Sequence, residues 1–164
     1  MKKIILLLGI CFWFSGVYAQ KFNARPLDEQ GDVYEIKIRQ FEKSFGKWFT
    51  AERVAKPTEG DVVRRSAWRD SCTVKLLTPE LKEILKEAAD KGGGSCWVTF
   101  YCDSDGKVQT VTFTMTSSVY VLLPGKILQE LYREAMKMIM NPEYYTFDVE
   151  HDYAIDTIEL MKRV

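Results

Sequence analysis

The sequence predicts an α+β protein, in which a small antiparallel sheet packs against two or three helices. Three observations carry this. Residues 95–116 read as a β-hairpin, two segments begin and end with strong helix signals, and a last strand is written over residues 154–162. In the hairpin, Cys96, Val98, Phe100 and Cys102 share one face while Trp97, Thr99 and Tyr101 share the other, since side chains alternate along a strand. Asp103, Ser104, Asp105 and Gly106 supply a reversal, with short polar side chains that bond locally and a glycine that accepts positive φ. In the return arm Val111, Phe113 and Met115 take one side and mostly threonine the other. Val108 breaks the alternation, which predicts a bulge near the turn.

Thr78, Pro79 and Glu80 mark a helix start: a capping hydroxyl, a proline at the first helical position and an acid in the first turn. Leu81, Ile84, Leu85 and Ala88 form its buried side, and Gly92, Gly93 and Gly94 end it. A second helix spans residues 124–140, with Ile127, Leu128, Leu131, Ala135, Met138 and Ile139 on an apolar face and Asn141 and Pro142 as the stop. Earlier in the chain, Tyr34, Ile38, Phe41, Phe45, Trp48 and Phe49 fall on one helical stripe, so residues 32–50 are expected to form an amphipathic helix. The alternation of Tyr34, Ile36 and Ile38 keeps a strand open at its start. Residues 51–70 read as a long connection with a short strand at Val62 and Val63 and an anchor at Trp68, and residues 71–77 read as a strand carrying Cys72, Val74 and Leu76.

The first 19 residues have the three parts of a secretory signal peptide: Lys2 and Lys3, an apolar run from Ile4, and the small-residue end at Ala19. That run is shorter than the roughly 20 residues of a membrane-spanning helix. Cleavage before Gln20 leaves residues 20–31 as a flexible lead-in and residues 32–164 as a single α+β domain, periplasmic or secreted from a diderm bacterium, with no stable membrane span. A lipoprotein reading through Cys11 is disfavoured by the bulky Ile10 before it. Lys and Arg number 23, as do Asp and Glu. Losing Lys2 and Lys3 makes the mature chain slightly acidic. Nothing in that balance suggests a nucleic-acid or anionic-membrane partner, and the basic patch at Val63, Arg64 and Arg65 is too short to change this.

Export puts Cys72, Cys96 and Cys102 in an oxidising compartment. Cys96 and Cys102 lie about 20 Å apart along a straight strand at roughly 3.3 Å per residue, beyond bridging distance. A disulfide, where one forms, joins Cys72 to Cys96 or to Cys102; three unpaired core cysteines are the alternative.

From Leu77 onward the order is helix, strand, strand, helix, strand. Together with Val98, Thr99 and Phe100, the run from Asp103 to Val108, the triplet Val111, Thr112 and Phe113, and Ser117 with Ser118, it resembles the C-terminal domain of TonB-like periplasmic proteins. Members of that family carry an anchor and a proline-rich spacer that this chain lacks. The resemblance therefore implies the fold and strand-to-strand partner binding, not energy transduction.

Catalytic machinery is not recognisable. His151 is the only histidine, flanked by Glu150 and Asp152, and no nucleophile elbow, histidine metal pair or phosphate-cradling glycine loop accompanies it. The Asp103 to Gly106 turn lacks the spaced oxygen ligands of a calcium loop. No cofactor is implied. The reading that emerges is an exported binding or adaptor module that engages an envelope protein or peptide by a sheet edge or a groove between helix and sheet. A hydrolase with a site near His151 is the rival.

Overall fold

The computed structural model describes residues 22–164. The signal-peptide reading, its cleavage point and Cys11 lie outside the described residues.

The protein is α+β. Strands β1 (Phe22–Pro26), β2 (Val33–Ile38), β4 (Cys96–Asp103), β5 (Val108–Thr116) and β7 (Tyr153–Glu159) form an antiparallel sheet in the order β1-β2-β5-β4-β7. The centre is the predicted hairpin, with Val98 opposite Phe113 and Phe100 opposite Val111, and its register slips between Tyr101 and Cys102 at the expected bulge. In the turn, Asp103 Oδ1 accepts from the backbone N–H groups of Asp105 (3.0 Å) and Lys107 (2.9 Å). Gly106 has φ +78°, and a Cβ there would stand 1.9 Å from the Met140 carbonyl oxygen, so only glycine fits.

One face of this sheet carries the core. Cys96, Val98, Phe100, Val111, Phe113, Met115 and Ile158 are buried there with apolar side chains of helices α2 (Val62–Leu76), α3 (Pro79–Asp90) and α5 (Gly125–Ala135). The α3 start is as predicted, with the Thr78 hydroxyl accepting from Leu81 N–H at 3.2 Å. On the opposite face, a single helical turn α1 (Phe41–Phe45) and the residues after it lay aromatic rings against the sheet. Phe41 and Phe49 lie 5.6 and 4.8 Å from the Tyr101 ring, centre to centre, and Phe49 lies 4.7 Å from that of Tyr153. The described residues also include a two-stranded ribbon, β3 (Lys56–Pro57) with β6 (Tyr145–Thr146), the four-residue helix α4 (Ser117–Tyr120) and short 3-10 turns at Ala51–Arg53, Pro142–Tyr144 and Met161–Arg163.

Four expectations are corrected. Residues 32–50 are not one helix: Val33–Ile38 pairs with β1 and β5, and only Phe41–Phe45 is helical. Residues 71–77 are not a strand, and the preceding segment is not a plain connection with a strand at Val62, because Val62–Leu76 is a continuous helix. Trp68 does anchor it, with its ring 5.3 Å from that of Phe100 and its Nε1 donating to the Ile139 carbonyl at 2.8 Å. The stretch read as a lead-in contains β1. The helix expected to reach Met140 ends at Ala135.

Candidate binding edge

The sheet has two outer strands, β1 and β7, and they differ in what their outward backbone groups meet. Leu27 N–H donates to the Val33 carbonyl at 2.8 Å, which sets the phase of the β1–β2 ladder. Asn23 and Arg25, opposite Lys37 and Glu35, turn their backbone groups toward β2, so Phe22, Ala24 and Pro26 turn theirs away. Residues 23–26 are exposed and Phe22 is half-buried. Among the described residues nothing bonds the outward groups of Phe22 and Ala24. Pro26 has no N–H to present, which is where a proline belongs on a sheet edge.

At β7 the same positions are occupied. Ala55 N–H donates to the Tyr153 carbonyl at 2.7 Å. The Tyr145 hydroxyl lies 3.0 Å from the Ile155 carbonyl and 3.0 Å from Asp156 Oδ2. Thr157 N–H donates to Asp156 Oδ1 at 2.8 Å. Asp156 itself is buried on the helix face. It accepts from Arg69 Nε at 2.5 Å, while Arg65 Nε stands 3.9 Å away and its guanidinium lies over the Tyr145 ring. Burial, and the adjoining Asp156 charge, push the Tyr145 hydroxyl well above the usual tyrosine range, so it stays a donor.

A groove flanks β1 on each face. On the helix side, Phe22, Ile38, Tyr132 and Met136 form the apolar floor of a groove of about 750 Å³ between the strand ends and α5, with Lys126, Glu130 and Arg133 at its rim. The Phe22 ring packs edge-on against Tyr132 at 5.5 Å. On the other side, a shallower groove of about 180 Å³ is lined by Asn23, Arg25, Glu35, Lys37, Arg39, Phe41 and Glu42. Three of those residues are basic and two acidic. Arg25 bonds Glu35 at 2.9 Å, and Lys37 spans Glu35 and Glu42 at 3.3 Å each.

The residues singled out for chemistry are not brought together. The His151 ring Nδ1 lies 2.9 Å from Asp148 Oδ1, not against Glu150 or Asp152, and both partners are solvent-facing with side chains 33% and 55% exposed. That contact holds the Asp148 carboxyl below its usual range. Asp152 is instead engaged by Arg53 and, at 3.3 Å, by Trp48 Nε1. Cys72, Cys96 and Cys102 are buried free thiols, and burial pushes each up to about 12. Cys102 lies within electrostatic reach of Cys72 and of Asp156, whereas only burial acts on Cys96. The open edge itself left one trace in the sequence, Pro26, because the groups it presents are main-chain.

These features define a class: a small α+β protein with a five-stranded antiparallel sheet in which outward backbone groups of β7 at Tyr153, Ile155 and Thr157 are bonded, while no described residue bonds those of β1 at Phe22 and Ala24. No family model matches the chain, the TonB-like one included, and no curated protein matches it. Among solved structures it is similar to a DUF5043 family protein from Bacteroides uniformis ATCC 8492. The identity is 12%, over 84% of this chain and 78% of that one, with a TM-score of 0.47. No helix among the described residues is long and apolar enough to cross a membrane.

Proposed function

We propose that this protein is an exported binding module that takes an extended segment of a partner protein as an added strand along β1. The observation that carries the reading is the outward backbone of Phe22 and Ala24, which no described residue bonds, beside an apolar groove, on a sheet whose other border has bonded outward groups at Tyr153, Ile155 and Thr157. Main-chain hydrogen bonds then supply affinity, and pockets for alternate side chains supply choice. Pro26 caps the usable length, so the edge holds a short segment and resists open-ended sheet growth. The leader-like first 19 residues support export, and an envelope protein or peptide is the partner that such a location offers.

The test is selection from a displayed random-peptide library followed by rebinding to Ala24→Pro, which removes the central outward N–H. Enriched peptides should bind the parent and fail on the variant, with the thermal melt of the variant close to that of the parent. Equal binding to both proteins, or no enrichment at all, contradicts the reading.

A further inference from the structure

Resting on that reading, we infer that the edge selects an antiparallel segment with one large, uncharged apolar side chain, set two positions after the residue that pairs with Ala24. The phase follows from the strand itself. Asn23 and Arg25 direct their main-chain groups to β2, so an added strand meets both N–H and C=O at Phe22 and Ala24 and the C=O alone at Pro26. Every pairing in the five-stranded sheet is antiparallel, the arrangement that is slightly more stable per residue. In that direction, the segment residue bonded to Ala24 is followed, two positions on, by the residue bonded to Phe22.

Residues directly opposite in a pair point to the same face. Phe22 points to the helix side, where its ring lies 6.4 Å from that of Phe113 and 5.5 Å from that of Tyr132, centre to centre. The side chain opposite Phe22 therefore stands over the groove floored by Phe22, Ile38, Tyr132 and Met136. At about 750 Å³ that groove falls within the range of small-ligand pockets, roughly 300–1,000 Å³, and admits the largest side chains. Burial there favours leucine, phenylalanine or tryptophan over small or polar residues. The rim does not invite charge. Lys126 faces Glu130 at 3.9 Å and Arg133 faces Glu134 at 3.3 Å, so an acidic or basic side chain finds each opposite charge already matched. On the other face Arg25 and Lys37 are matched by Glu35 and Glu42, and the segment residues that turn there are left unspecified.

The experiment reads fluorescence anisotropy of blocked, labelled eight-residue peptides of threonine and serine against the purified protein. The reference peptide carries Leu at its sixth position, which sets its fourth residue opposite Ala24 and its second opposite Pro26. Replacing that Leu with Ser, Glu or Lys should weaken binding roughly tenfold. Moving it to the second position should weaken binding as much, because a Leu over the groove then leaves no residue to pair with Ala24. N-methylation of the fourth residue should abolish binding, and N-methylation of the fifth, whose N–H turns away from β1, should spare it. Met136→Lys, which charges the groove floor, should bring the Leu and Ser peptides level, with the thermal melt checking that the fold is kept. Equal binding of the Leu and Ser peptides, with loss on methylating the fourth residue, would leave strand addition standing and overturn the apolar anchor. A second-position Leu that binds as well as the reference would overturn the antiparallel direction. Binding by no peptide, or indifference to both N-methyl groups, contradicts strand addition and the selectivity together.

Discussion

The two borders of one sheet have been treated in opposite ways. Along β7, three successive outward positions are consumed by Ala55, Tyr145 and the Asp156 carboxylate, and the carboxylate is in turn held by Arg69 from α2. Along β1 the equivalent groups face outward from an exposed strand whose closing device, among the described residues, is Pro26. A strand edge is an aggregation hazard, and the β7 side shows how this chain closes one. Among the described residues no such strap covers β1, which lies between an apolar and a charged groove, as a pairing surface needs.

The difference can be broken from either side. The largest effect is expected from Asp156→Ala, which leaves Arg65 and Arg69 without their buried partner and frees the Thr157 N–H. Removing one member of a buried ion pair costs about 3–5 kcal/mol, to be read from the urea midpoint. A loss below about 1 kcal/mol would mean the carboxylate does not secure the β7 border. Tyr145→Phe deletes the hydroxyl that reaches both Ile155 and Asp156, and should cost about 1–3 kcal/mol. Amide exchange in that variant should quicken along β7 and leave β1 unchanged.

On the open side the same kind of change should hardly touch stability. Ala24→Pro should alter it by less than about 1 kcal/mol, because the lost N–H points to solvent. Pro26→Val should be nearly neutral for folding yet lengthen the usable edge, and sedimentation should then show concentration-dependent self-association absent from the parent. A monomeric Pro26→Val protein at high concentration would show that something other than proline protects β1.

Much of this fold was legible where local chemistry and burial agree. The hairpin announced itself because Cys96 to Cys102 and Val111 to Met115 alternate toward one core, and the α3 start because Thr78 and Pro79 act locally. The failures share a cause. In residues 32–50 the spacing of Phe41, Phe45, Trp48 and Phe49 is helical, yet these rings stack over the sheet from a single turn and the loop after it. Pairing of β2 with β5 decides Tyr34 to Ile38. Helix α2 was hidden because its inward side includes Arg65 and Arg69, whose partner Asp156 is distant in sequence. β1 buries almost nothing, so no apolar alternation marks it. The candidate site was unreadable for a related reason: which main-chain groups lack a partner depends on strand order, which no residue type encodes. His151, the most visible residue, proved to be a surface partner of Asp148.

The most direct test of the central claim is residue-resolved amide exchange of the free protein and of the protein saturated with a peptide enriched from the displayed library. In the free state the amides of Phe22 and Ala24 should exchange quickly and that of Thr157 slowly, and the peptide should slow only the first two. Slow exchange at Ala24 in the free protein, or no change there when the peptide is bound, would contradict the claim that β1 is the open, partner-accepting border.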